Sequence, residues 1–100
     1  MTEFESIVLR AKKNDKDAFT ELILNIEECL YNVARIRLKS EEDINDAIQE
    51  TEIIAFKSIK KLEHPKYFKT WIIKILINEC NKIYRKNTKH FNIFKKITKR

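Results

Sequence analysis

The stretch His64 to Lys86 reads HPKYFKTWIIKILINECNKIYRK. Phe68, Trp71, Ile72, Ile75, Leu76 and Ile83 recur in it at helical spacing and mark one inward side of a helix beginning near Tyr67. The remaining positions carry Lys66, Lys69, Lys74, Lys82, Arg85 and Lys86, with Glu79 as the sole acidic residue of the stretch. A helix that merely fills a core has a solvated back of mixed sign. A helix that lies on a polyanion has a back like this one.

Working outward, the chain has 100 residues, no glycine and one proline, Pro65. It therefore has little material for tight β-turns, and it is rich in Ile, Leu, Lys and Glu. The predicted fold is all-α, a compact bundle of about four helices. The first is expected from about Glu3 to Lys13, with Phe4, Ile7, Val8 and Ala11 on one side. Asp15 then caps a second helix, Lys16 to about Leu38, whose helical set is Phe19, Leu22, Ile23, Ile26, Leu30, Val33, Ala34 and Arg37. Ser40 with Asp43 approximates a capping box for a third, Glu41 to about Leu62, with an apolar stripe of Ile44, Ala47, Ile48, Thr51, Ile54, Ala55 and Ile59. Pro65 marks its stop. The fourth runs from about Tyr67 to Lys86. These elements form a domain over residues 1–86. The tail 87–100 reads either as a basic linker or as a short amphipathic helix after Thr88 carrying Phe91, Phe94 and Ile97.

The net charge of +6 is unevenly placed. Met1 to Phe56 holds seven Lys/Arg against thirteen Asp/Glu, whereas Lys57 to Arg100 holds fourteen against two. This split predicts an acidic face for a protein and a basic face for nucleic acid or anionic lipid. Enzymatic chemistry is not expected. Without glycine there is no phosphate-cradling loop. His64 and His90 have no ligand-spaced partners, so neither a metal nor a cofactor is expected. Cys29 and Cys80 read as free buried thiols of a cytoplasmic chain, and no apolar run is long enough to span a membrane.

Strand opening requires cations for phosphate, rings for unpaired bases and amides for base edges. The segment from Lys66 supplies all three. Lys66, Lys74, Lys82 and Arg85 suit phosphate; Tyr67 and Lys69 suit contacts at the helix start; Asn78 and Asn81 suit base edges. Trp71 fits a core position as well as a stacking one. On the third helix, Asp46, Gln49 and Glu50 share a face at i, i+3 and i+4, with Ile53 a turn further on. That face reads as a solubilising back or as a dock for a basic, partly apolar helix. Ile73 and Ile77 are placed on the outer side of the fourth helix.

In this order and spacing, DAIQE (Asp46 to Glu50), FKTWI (Phe68 to Ile72), Asn78 and the pair Arg85-Lys86 resemble the second conserved region of bacterial RNA polymerase sigma factors, nearest the extracytoplasmic-function type. The resemblance spans Val8 to Lys86. It implies that Asp46, Gln49, Glu50 and Ile53 meet the clamp helices of the polymerase β′ subunit. It places Phe68, Thr70 and Trp71 in the promoter-melting segment and Asn78 against the non-template strand of the −10 element. The loop before the fourth helix would hold a flipped-out base, and Lys82, Arg85 and Lys86 would lie along the adjoining backbone. An anti-sigma protein is a further implied partner. The chain departs from the pattern at Glu52, often aromatic in the family, at Lys82, commonly acidic, and in its glycine-free loop EHPKY. The rival readings are a generic helical nucleic-acid-binding module and a protein-interaction adaptor with a basic face.

Overall fold

The computed structural model describes residues 1–98, with side chains described through Lys89 and at Ile97. It is an all-α bundle of four helices: α1 (Glu3–Lys12), α2 (Lys16–Arg37), α3 (Glu41–Ser58) and α4 (Phe68–Thr98). Single 3-10 turns at Ile59–Lys61 and Pro65–Tyr67 join α3 to α4. Helix α2 packs against α1, α3 and α4, and α3 packs along α4.

Local chemistry sets each boundary. The Thr2 hydroxyl accepts from the Glu5 amide at 3.1 Å and opens α1. Asn14 ends the first turn region at φ 72°, taking the left-handed position that a glycine-free chain can still give to asparagine. Asp15 then caps α2 by accepting from the Ala18 amide at 3.0 Å. Ser40 caps α3 through the Asp43 amide at 3.0 Å. The expected reciprocal half of that capping box does not form. The Asp43 carboxylate instead accepts from the Asn87 amide nitrogen of α4 at 3.0 Å, tying the two helices together.

The expected third helix is shorter than its apolar period suggested. It stops at Ser58, and Ile59 and Leu62 reach the core from a 3-10 turn and an extended residue. The Lys12 ammonium donates to the Leu62 carbonyl and anchors this connection to α1. Pro65 begins the next 3-10 turn, where its missing amide proton costs nothing, and α4 starts one residue later than expected. No break marks Lys86. Helix α4 continues to Thr98, so residues 87–98 prolong it rather than forming a linker or a separate short helix. Ile97 is exposed, and the Phe91 and Phe94 side chains lie outside the described residues.

Buried residues from every helix share one core. Phe4, expected inward, is half-buried and meets Phe68 edge-on at 5.9 Å. Arg37 is exposed, and Leu38 takes the buried place at the end of α2. Cys29 is only half-buried, whereas Cys80 is fully buried, and burial pushes its thiol pKa up. Thr51 is sealed in, its hydroxyl donating to the Ala47 carbonyl at 2.7 Å.

Helix α4 shows how the core fixes the surface. Its i±4 ridges differ sharply in environment. Phe68, Ile72, Leu76 and Cys80 are completely buried. The ridge Trp71, Ile75, Glu79 and Ile83 forms a partly buried shoulder. The ridge Thr70, Lys74, Asn78, Lys82 and Lys86 is exposed throughout, and Lys66 extends it into the preceding turn. Ile73 and Ile77 lie on the remaining ridge. Contrary to expectation they are half-buried, and Ile73 packs against the core.

Leu76→Ala is expected to lower unfolding stability by about 2–5 kcal/mol, the usual cost of a buried cavity. Ile36→Ala, at a position 83% exposed, should stay within about 0.5 kcal/mol of wild type. Urea unfolding followed by circular dichroism measures both.

Candidate nucleic-acid and protein interface

Because Lys74, Asn78 and Lys82 are set four residues apart, the ridge that buries Phe68, Ile72 and Leu76 carries them on the opposite side of α4. Two grooves flank this exposed ridge. One, of about 440 Å³, is lined by Leu62, Glu63, His64, Tyr67, Thr70, Trp71 and Lys74. The other, of about 610 Å³, is lined by Ile54, Trp71, Lys74, Ile75, Asn78, Glu79 and Lys82. Trp71 and Lys74 belong to both, so the surface from His64 to Lys82 is continuous.

The core reading of Trp71 holds, and part of its ring remains at the surface. The ring is half-buried, rests on the core beside Phe68 at 5.9 Å and still lines both grooves. Tyr67 is half-exposed; His64 meets its ring edge-on at 5.8 Å, and the Lys66 ammonium lies 5.1 Å from its centroid. His64 was not singled out in the sequence, where a lone histidine in a loop carries no spacing signal. Asn81 and Arg85 are exposed along the outer side of α4, outside both grooves. Lys69 is exposed but shares the ridge of Ile73 and Ile77, away from Lys74 and Asn78.

Glu79 answers the puzzle of the sole acid in the basic stretch. It is buried at 7% exposure, and the Lys82 ammonium donates to its carboxylate at 3.0 Å. Helical spacing alone gave no reason to expect an acidic residue on the inward shoulder. A carboxylate buried there needs its partner, and Lys82 one turn later supplies it.

On α3, Asp46, Gln49, Glu50 and Ile53 are all exposed, Ile53 at 44%. Phe56 joins them, one turn beyond Ile53 and 46% exposed, with its ring edge-on to Phe19 at 5.2 Å. Its spacing of i+7 from Gln49 was the available signal. The acidic and basic faces lie side by side. They meet in a third groove of about 310 Å³, where Asp43, Asp46 and Glu50 of α3 face Lys82, Lys86 and Asn87 of α4.

Among the described residues, no group of three His, Cys, Asp or Glu is placed to hold a metal, and no helix is long and apolar enough to cross a membrane.

Residues 22–90 match the Sigma-70 region 2 family. The chain is 28% identical over 88 residues to the RNA polymerase sigma factor NccH of Alcaligenes xylosoxydans xylosoxydans, covering 87% of this chain and 47% of that protein. It is 31% identical over 74 residues to the ECF RNA polymerase sigma-E factor of Haemophilus influenzae, covering 74% of this chain and 39% of that protein. The chain thus spans less than half the length of either relative. Among solved structures, an engineered region 2 of sigmaE in complex with GTAAAA superposes with a TM-score of 0.79 at 22% identity, covering 90% of this chain and 97% of that one.

On the edge of α3 turned toward α2, burial and then the nearby Glu27 charge raise the pKa of Glu52 above its ordinary value. The folded state therefore holds the Glu52 proton more tightly than the unfolded chain does. The ionised carboxylate opposes folding at neutral pH, and this cost is relieved as pH falls through the raised folded value. Glu52→Gln is expected to be more stable than wild type at pH 7. The gap should narrow as pH drops into the ordinary carboxylate range, as thermal melts across that interval would record.

Proposed function

Since this chain belongs to the Sigma-70 region 2 family, we propose that it docks on core RNA polymerase through α3 and engages the opened −10 element through α4. The observation that carries this reading is the uninterrupted exposed ridge Thr70, Lys74, Asn78 and Lys82, bordered by Trp71 and Tyr67 and by two grooves. Cations, rings and an amide thus converge on one surface, as single-strand capture requires. The solved structure of similar fold, an engineered region 2 of sigmaE, is in complex with GTAAAA, and this supports a nucleic-acid ligand for the present chain.

In this reading the groove lined by Leu62, His64, Tyr67, Thr70 and Trp71 receives an unstacked base. Extruding a base costs a few kcal/mol, and each aromatic stack returns about 1–3 kcal/mol. One or two stacks are therefore enough to hold a base once polymerase has opened the duplex. Asn78 offers a donor and an acceptor to a base edge from the neighbouring groove. Lys66, Lys74, Lys82 and Arg85 act on phosphates, and lysine in particular is a flexible point charge that carries little sequence information. Lys69, which stands apart from this ridge, contributes to the general field. Asn81 sits beside the track as a second amide.

On α3, Asp46, Gln49 and Glu50 receive basic groups of the β′ clamp helices, with Ile53 and Phe56 as apolar contacts. The chain performs no chemistry in this role; nucleotide addition belongs to the polymerase. A cytoplasmic location follows from that partnership, and an anti-sigma protein would compete for the same two faces.

Gln49→Ala combined with Glu50→Ala should weaken binding to isolated β′ clamp helices by about tenfold or more while the circular dichroism spectrum stays unchanged. Equal affinity would remove the docking half of the reading and favour a generic nucleic-acid-binding module, which also ignores core enzyme in a pull-down.

Asn78→Ala should reduce discrimination between a −10 single strand and a scrambled one. Lys82→Ala, made together with Glu79→Gln so that no unpaired carboxylate is left buried, should weaken both alike and shallow the salt dependence by about 0.7 in log–log slope, the value for one phosphate on a single strand. Fluorescence anisotropy at several salt concentrations tests the pair. A change of sequence preference in that double variant would overturn the roles assigned.

A further inference from the structure

The groove proposed to receive an unstacked base takes much of its wall from the connection between α3 and α4, through Leu62, Glu63, His64 and Tyr67. That connection is two single turns with Leu62 and His64 extended between them. Little of its backbone is self-paired. The Leu62 amide donates to the Ile59 carbonyl at 3.1 Å, and the Tyr67 amide donates to the His64 carbonyl at 2.9 Å. Among the described residues no backbone amide reaches the Leu62 carbonyl. Its donor is the Lys12 ammonium, 50 residues away in sequence.

Helix α1 supports this wall at more than one point. It packs against both turns. Near its other end, the Phe4 ring meets Phe68, the first residue of α4, edge-on at 5.9 Å. Lys12 is half-buried and forms no ion pair among the described residues, so its ammonium is committed to the carbonyl. It lines none of the grooves described along α4. Helix α1 also lies outside residues 22–90, the stretch that matches the family, so that match gives it no role.

Resting on the base-accepting role proposed above for this groove, we propose that Lys12 is a positioning residue for it. By holding the Leu62 carbonyl, its ammonium fixes the wall from Leu62 to His64 before a strand arrives. A half-buried carbonyl deprived of its protein donor turns toward water, and the residues after it turn with it. The wall must then be ordered as the base enters, and that ordering is subtracted from affinity. Lys12 touches neither phosphate nor base in this role. Its loss therefore weakens the capture of bases and leaves the phosphate contacts, and with them the salt dependence, unchanged.

The test compares wild type with Lys12→Met, which keeps the apolar stem without the donor, and with Lys12→Arg, which restores a donor to a single carbonyl. Each full chain is titrated with a roughly 12-nucleotide oligo-dA strand and with a wholly abasic strand of the same length. Exchange of the Leu62 and Tyr67 amides, each bonded within one of the two turns, is measured without DNA. Lys12→Met should bind oligo-dA about three- to tenfold more weakly than wild type, bind the abasic strand within about twofold of wild type and keep the same salt slope. Exchange at Leu62 and Tyr67 should rise while that from Ile72 to Cys80 holds, and Lys12→Arg should restore both affinity and protection. No rise in exchange on removal of the donor overturns the proposal. Faster exchange with undiminished oligo-dA affinity overturns it as well, because the tie is then purely structural. An equal loss on both strands with a shallower salt slope also overturns it, by making Lys12 a phosphate contact. A wild-type chain that binds oligo-dA no more tightly than the abasic strand instead sinks the base-accepting reading of the groove, and this inference with it.

Discussion

The burial of one ridge of α4 is the constraint on which the rest depends. Phe68, Ile72, Leu76 and Cys80 are set four residues apart and are wholly excluded from water against α2 and α3. Fully burying three large apolar side chains contributes roughly 1.5–3 kcal/mol each, a large share of what a small domain has in hand. Once that ridge is fixed, every other position on α4 is assigned. The shoulder of half-buried Trp71, Ile75 and Ile83 with buried Glu79 follows, and the exposed ridge of Lys74, Asn78 and Lys82 is left facing solvent. The candidate surface on α4 is the geometric complement of the core, and the connection before α4 extends it through Leu62, His64 and Tyr67.

That arrangement explains how much could be read from the sequence. The apolar period predicted the four helices and most of the core, because burial is what the period records. The exposed ridge was legible for the same reason, as was the surface position of Asp46, Gln49, Glu50 and Ile53. Illegible were features decided by contacts between elements. The early end of α3 at Ser58 reflects the need for Ile59 and Leu62 to reach the core from a turn. Asp43 abandons its expected capping role because Asn87, distant in sequence, offers a donor. The inward place of Glu79 depends on Lys82 being able to reach it, which periodicity does not express. The length of α4 beyond Lys86 was open because the spacing of Phe91, Phe94 and Ile97 fits a helix without telling whether that helix is continuous with α4.

Trp71 illustrates why the core and site readings need not compete. A ring resting on Phe68 is held in orientation by packing, and its remaining edge can still border two grooves. Such a residue serves recognition better than a fully exposed ring, because little side-chain entropy remains to be lost on binding. Tyr67 is held less firmly, by an edge contact to His64 and by the Lys66 ammonium near its face. The site therefore grades from a fixed wall at Trp71 to a more adjustable rim at Tyr67.

The meeting of the acidic and basic faces follows from scale. Helices in contact lie about 8–10 Å apart, and the screening length at physiological salt is about 8 Å. Two charged surfaces carried on neighbouring helices of a bundle measuring 62 × 22 × 19 Å across its axes cannot be electrically independent. Charge is segregated along the sequence, but antiparallel packing of α3 on α4 brings the segregated charges back to a common groove. Asp46, Glu50, Lys82 and Lys86 all line that groove, so the charges of α3 and α4 act on one another across a distance comparable to the screening length, and a change of charge on either helix is felt on the other.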